Sequence, residues 1–333
     1  MVNPPFKYKN DEWIKIPPQG YGGIQWIIKN IIDGLLELGH HITLLGAPGS
    51  KFDHKNIIVP PIGSEKEISS YLSTINKNVI VHDHTCRGEE FSEPILWNNN
   101  HKILHSHYLV SKPKEKSNLV AASYAHAQIM GFNNIPVIRH PVNPRNYMFS
   151  EKKKDYLLYL GRVSSWKGVH IAAKFAEMVG IKLVIAGPVW EKDYYQMLKN
   201  RYNMTIEYVG EVGGEDKQKL LANAIATLVF SGGLHTPTGV AWVEPGSQVV
   251  SESAISGTPV ISSENGCLKE IVPLVGRTIR NIENLTKKEA EFIVSTLPEP
   301  SNVRDNCLNN WSYINVAHEY EILYRRILNG ESW

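Results

Sequence analysis

Glu244 and Glu252 stand eight positions apart in "WVEPGSQVVSESAISGTPVIS", residues 242–262, a stretch otherwise small and apolar. Ser247 is a fitting N-cap with Pro245 just before it, so a helix is expected over "SQVVSESAIS". That leaves Glu244 in the preceding loop and Glu252 inside the helix, about 8 Å along the axis at the usual rise. A second stretch, "YLGRVSSWKGVH", puts Arg162 and Lys167 between a strand ending at Gly161 and a helix beginning after Gly168. Arg grips phosphate as a planar fork and Lys as a point charge, so the pair reads as an anion clamp; the alternative is a solvated loop. Carboxylates beside an anion clamp suit sugar hydroxyls, which are donors. Two cations for a diphosphate and a glutamate for the sugar on either side describe a nucleotide-sugar site.

Two other clusters carry chemistry. In "PPQGYGGIQW", Gly20, Gly22 and Gly23 precede a long helix, either as a tight turn or as backbone opened to an anion at the helix N-terminus. "VHDHTCRG" and "LHSHYLV" each end a strand with histidines at i and i+2, so His82 shares a face with His84, and His105 with His107. Neighbouring strands would gather four imidazoles. The spacing lacks the ligand pattern of a closed zinc site, and no metal is expected.

The elements that must position these residues alternate. Apolar runs such as "HHITLLGA", "KNVIVHDH" and "HKILHSH" interleave with helices such as "GIQWIIKNIIDGLLELG", and after "NPRNYMFSEKKK" the pattern restarts with "DYLLYLGR", "IKLVIAG", "IEYVGEV" and "ATLVFSG". Such runs suit parallel sheets covered on both faces. With 333 residues, two domains are expected, 1–150 and 151–310, followed by an unattached helical segment over 311–333. Hydrophobic content of 42%, charged content of 20% and a net charge of +2 describe a soluble globular protein with no basic field for nucleic acid. Three scattered cysteines, no signal-peptide pattern and no membrane-length apolar run place it in the cytoplasm, with peripheral membrane contact left open. "MVNPPF" leaves almost no first strand before the glycine loop.

"GRVSSWKG" followed by "EPGSQVVSESAISGTPVISSENGCLKEIV", with "YGGIQWIIKNIIDGLLELGHHITLLGAPGS" and "NWSYINVAHEYEILYRR" at the two ends, resembles the retaining glycosyltransferases of family 4, the group 1 glycosyl transferases. The resemblance implies the GT-B fold: α/β, two Rossmann-like parallel-sheet domains facing a cleft, with the C-terminal helix packing back on the N-terminal domain. It also implies an acceptor-side first domain and a nucleotide-sugar-binding second. Carried over, Arg162 and Lys167 bind the donor diphosphate, Glu252 the ribose and Glu244 the transferred sugar. The donor-binding set adds Gly22, Gly23, Gly161, Gly210, Glu211, Val212, Gly246, Ser247 and Gln248. A histidine near sugar and acceptor matches His107 first and His84 second, the latter with Asp83 as a partner that would raise its basicity.

Departures are the missing aromatic in "EPGS", the long connection "SGGLHTPTGVAW" with His235 and Thr238, and "HPVN" before the linker. No Asp-x-Asp pair occurs. The expected activity is metal-independent, front-face transfer of a hexose-type sugar from a nucleoside-diphosphate sugar to an acceptor hydroxyl, with no cofactor. A nucleotide-sugar-binding protein impaired in transfer and a GT-B sugar epimerase are the alternatives. The acceptor and the oligomeric state have no signature in the sequence.

Overall fold

A computed structural model of the chain describes residues 1–3, 7–8, 12–20, 22–62, 65–75, 78–85, 102–106, 108, 113, 117–232 and 242–333. The chain divides into two compact units, Met1–Pro141 with Tyr313–Trp333, and Val142–Ser312. The first change therefore falls at Val142, ahead of the polar stretch near residue 150 at which composition places it. The reason is local: Val142 bridges to Ser312 and donates its N–H to the Trp311 carbonyl at 2.9 Å, so residues 142–150 already belong to the second unit.

In the first unit, β1 (Lys7–Tyr8) and β2 (Glu12–Trp13) form a small antiparallel ribbon ahead of α1 (Gly23–Glu37). Then come β3 (Ile42–Thr43), β4 (Ile57–Ile58), α2 (Glu65–Thr74), β5 (Ile80–Asp83), β6 (Lys102–Ser106), β7 (Leu119–Val120) and α3 (Tyr124–Met130). β3 pairs with β4, and β6 lies between β5 and β7, all parallel.

The second unit runs β8 (Tyr156–Leu160), α4 (Val169–Val179), β9 (Lys182–Ala186), α5 (Lys192–Tyr202), β10 (Ile206–Gly210), α6 (Gly214–Asn223), β11 (Ala226–Val229), α7 (Gln248–Ile255), β12 (Val260–Ser263), α8 (Leu268–Ile271), β13 (Gly276–Ile279), α9 (Lys287–Ser295) and α10 (Pro300–Trp311). Its six strands are parallel in the order β10-β9-β8-β11-β12-β13. The order reverses between β8 and β11, and open parallel sheets bind ligands at the carboxyl ends of the strands at such a switch point. β8 and β11 are "YLLYL" and "ATLV", apolar and buried as a strand covered on both faces must be.

α11 (Tyr313–Leu328) returns to the first unit and packs on α1. Gly34 makes this approach feasible, since a Cβ there would lie 2.3 Å from the Tyr313 carbonyl oxygen and 2.6 Å from Ala317 Cβ. Val316, Ala317, Tyr320 and Leu323 of α11 join Ile27, Ile28, Ile31 and Leu35 of α1 in one core, which places the apolar stripe of the last helix. Among the described residues no helix is long and apolar enough to cross a membrane.

Candidate active site

The two strands at the switch point supply the polar centre. After β8 the chain makes a tight turn over Ser165–Lys167 and closes it with Gly168 at φ +69°. Glycine is required there twice over: the backbone is left-handed, and a Cβ would sit 2.1 Å from the Phe230 carbonyl oxygen. This turn carries Lys167 against the end of β11. Its Nζ donates to Glu244 Oε2 at 2.7 Å and lies 4.3 Å from the centre of the Trp242 ring. The same oxygen accepts from Ser231 Oγ at 2.7 Å and Trp242 Nε1 at 3.1 Å. Burial alone would raise the Glu244 carboxyl, but the Lys167 charge and these donors outweigh it and hold its pKa below the ordinary glutamate value. Among the described residues its other oxygen, Oε1, takes no hydrogen bond.

The backbone of Glu244 is held as firmly as its side chain. Asn265 accepts from the Glu244 N–H at 2.7 Å and donates to the Trp242 carbonyl at 3.2 Å, while the Cys267 N–H donates to the Glu244 carbonyl at 2.8 Å. Arg162, in the same loop as Lys167, lies 4.6 Å from the centre of the Trp190 ring, and among the described residues no carboxylate pairs with it. Its charge reaches both Lys167 and the Tyr159 hydroxyl. Glu252, in the second turn of α7, accepts on Oε1 from Lys217 Nζ at 2.7 Å and Tyr147 OH at 2.8 Å, leaving Oε2 without a hydrogen bond among the described residues.

The remaining second-unit positions lie on the carboxyl edge of the sheet. The Gly161 N–H donates to Ala186 and the Gly187 N–H to Gly210, so the ends of β8, β9 and β10 are laced together, with half-buried Glu211 and Val212 directly after. Gly246, Ser247 and Gln248 open α7. Ser247 occupies the N-cap position with extended backbone, but its side chain makes no capping bond, contrary to the capping role its type implies.

The model of the family described as glycosyl transferases group 1 matches residues 145–274. The crystal structure of AviGT4, a glycosyltransferase involved in avilamycin A biosynthesis, is 41% identical and superposes with a TM-score of 0.93, covering 100% of this chain and 98% of that one. The chain belongs to the group 1 glycosyltransferases, with the GT-B fold. An uncharacterized glycosyltransferase of Methanocaldococcus jannaschii is 22% identical over 323 residues, covering 77% of this chain and 80% of that protein. HepE of Anabaena, solved in complex with UDP-glucose, is 16% identical with a TM-score of 0.54 over 67% of this chain and 72% of its own, a likeness of fold.

In this glycosyltransferase the histidines depart from the expected arrangement. β5 and β6 do pair, but in a register that sets Asp83 opposite His105. His105 Nδ1 therefore meets Asp83 Oδ2 at 2.9 Å, on the sheet face opposite His82 and His84. Of the four imidazoles expected to gather, His105 thus stands apart from His82 and His84, and the fourth, His107, lies outside the described residues, as do His235 and Thr238. His82 sits between Tyr324 OH at 2.7 Å and Ser106 Oγ at 2.8 Å, and His84 Nδ1 meets Tyr108 OH at 2.6 Å. Asp83, expected as the partner of His84, instead meets His105; its charge does raise the His84 pKa, but burial outweighs it and pushes the ring down to about 3. Gly22 and Gly23 cap α1 in the first unit. A Cβ on Gly22 would press on Ile14 and Pro18 at 3.0 Å, whereas one on Gly23 would meet nothing, so Gly23 leaves its backbone open.

Sequence reading missed Lys217, Tyr147, Ser231, Trp242 and Asn265. Trp242 and Asn265 had a signal, lying in "WVEPGS" and "SSENGC" beside the glutamate loop; Lys217 and Tyr147 had none.

Proposed function

We propose that this glycosyltransferase moves a hexose-type sugar from a nucleoside-diphosphate sugar to an acceptor hydroxyl, with retention and without a metal. The observation that carries the reading is the buried Lys167–Glu244 pair at the switch point beside Arg162. Lys167 has three N–H donors, of which Glu244 takes one, so the ammonium can meet phosphate while staying fixed. Arg162 adds a planar fork, and among the described residues Glu244 Oε1 takes no hydrogen bond, which suits a sugar hydroxyl. Glu252 Oε2 offers the same to the ribose. The bond from the anomeric carbon to the phosphate oxygen breaks, the acceptor oxygen bonds to that carbon on the same face, and its proton passes to a phosphate oxygen. Arg162 and Lys167 stabilise the charge that grows on the leaving diphosphate, the differential binding that raises a rate. UDP-sugars are the first donors to test, since the HepE structure holds UDP-glucose.

The test is product analysis by NMR with labelled UDP-hexoses and a panel of acceptors, with and without EDTA. An α-linked product from an α-linked donor at an unchanged rate in EDTA supports the reading. An inverted product sinks retention, and loss of transfer restored by a divalent ion sinks the cation clamp. A free epimerised sugar nucleotide, or binding with neither transfer nor hydrolysis, would put the epimerase or the binding protein in its place.

A further inference from the structure

Glu252 is held by two elements that reach it separately. α6 packs on α7. The exposed side of α6 is marked by the ion pair of Glu215 with Lys219, whereas Lys217 stands one turn before the fully buried Leu221 and so lies on the packing side. There its Nζ meets Glu252 Oε1 at 2.7 Å, with both side chains largely buried. Tyr147, in the segment ahead of β8, donates its hydroxyl to the same oxygen at 2.8 Å. Burial, and after it the Glu252 charge, hold the Tyr147 pKa well above the ordinary tyrosine value, so the phenol keeps its proton for that bond.

Both bonds go to one oxygen. The two oxygens of a glutamate exchange by rotation about its last torsion, whose preference is broad. Two donors from separate elements on Oε1 stop that rotation, and the Ser256 hydroxyl steadies the backbone by donating to the Glu252 carbonyl at 3.0 Å. Oε2, which takes no hydrogen bond among the described residues, is thereby aimed in one direction. The kind of cation matters here. A lysine ammonium is a point charge that can sit on one oxygen, whereas a guanidinium is a planar fork that pairs with both. Lysine leaves the second oxygen over.

We propose that Lys217 is a positioning residue: by pinning Oε1 it commits the single oxygen Oε2 of Glu252 to the ribose, and so sets a preference for an intact ribose over a deoxyribose. The inference rests on the reading of Glu252 as the ribose contact. A ribose hydroxyl gives that oxygen a charge-assisted bond. A site built for such a bond is left with a buried, unpaired acceptor when the hydroxyl is missing, so the deoxy ligand is rejected. Lys217 acts through Glu252 and need not touch the nucleotide.

Calorimetric titration with UDP, 2′-deoxy-UDP and 3′-deoxy-UDP, repeated with the matching GDP set, tests this. In the unaltered protein the intact diphosphate should bind at least about tenfold more tightly than one or both deoxy forms, and Glu252→Gln should cut that preference to about twofold or less. Lys217→Met leaves the buried carboxylate without its cation and free to turn, and should cut it equally. Lys217→Arg keeps a cation at Glu252 and should fold as before, yet lose the preference, because the fork takes Oε2 as well. A role confined to packing α6 on α7 would survive that change. If Lys217→Met does not fold, Lys217→Arg decides. A tenfold preference kept in either lysine variant but lost in Glu252→Gln overturns the positioning role and leaves the ribose contact standing. No binding of either set, no preference in the unaltered protein, or a preference that survives Glu252→Gln overturns the ribose contact itself, and the inference with it.

Discussion

Each unit buries a polar cluster, and the two manage the cost in opposite ways. In the first, His82 and His84 lie with ring centres 4.0 Å apart and hydrogen-bond to the hydroxyls of Tyr324, Ser106 and Tyr108. Burial drives both pKa values down, so the rings are neutral and packed. In the second, Glu244 and Glu252 are as deeply buried but each meets a lysine at 2.7 Å. A neutral cluster holds shape; a charged and paired one stores a field that a ligand can use. The carboxylates in the packed segment are thus tolerated because each is matched by a lysine.

Acid should separate the clusters most strongly. A histidine with a folded pKa below its unfolded one costs no stability above the unfolded value and destabilises as pH falls below it, because the unfolded state binds the proton first. For His84 the window runs from 6.5 to about 3, at about 1.4 kcal/mol per pH unit, with His82 adding in the same direction. Glu244 has the opposite sign: its stabilisation is present above 4.5 and is lost only as pH falls through its lowered folded value. Among the described residues half-buried His170 is the second-unit histidine shifted downward. Between pH 6.5 and 5, exchange mass spectrometry should therefore show the first unit opening before the second; simultaneous opening would remove the contrast.

Next in size is Lys167→Ala, which takes away the phosphate contact proposed above and strands Glu244. Transfer should fall by about 10²–10³-fold, and urea unfolding should report a loss of about 3 kcal/mol. Adding Glu244→Gln should recover stability without recovering transfer, which separates field from packing. Glu252→Ala should weaken UDP and UDP-sugar alike, by about tenfold in calorimetric titration, whereas Tyr147→Phe removes one of two donors to Oε1 and should cost only about 1 kcal/mol of stability. The smallest effect is expected for Trp190→Ala, where loss of the ring under Arg162 should weaken UDP by about threefold with the fold unchanged. Unchanged UDP affinity there would leave the ring contact without a role in the clamp.

The alternation of apolar runs with helical periods was enough to predict two parallel α/β layers, and the turn chemistry around Gly161, Gly168 and Pro245 located the loops that carry Arg162, Lys167 and Glu244. Those are local properties, written in spacing a few residues long. What only the tertiary structure decided is which side chains meet. Lys217 reaches Glu252 from 35 positions away, and Asn265 fixes Glu244 from 21, through contacts that leave no periodic trace in the chain. The histidines show the same limit from the other side. Their i, i+2 spacing gave each pair a common face, but the register between β5 and β6 set Asp83 against His105 and left His84 buried and neutral. Register and strand order arise from how whole layers pack, so the partner of a charge is settled only when the sheet is assembled.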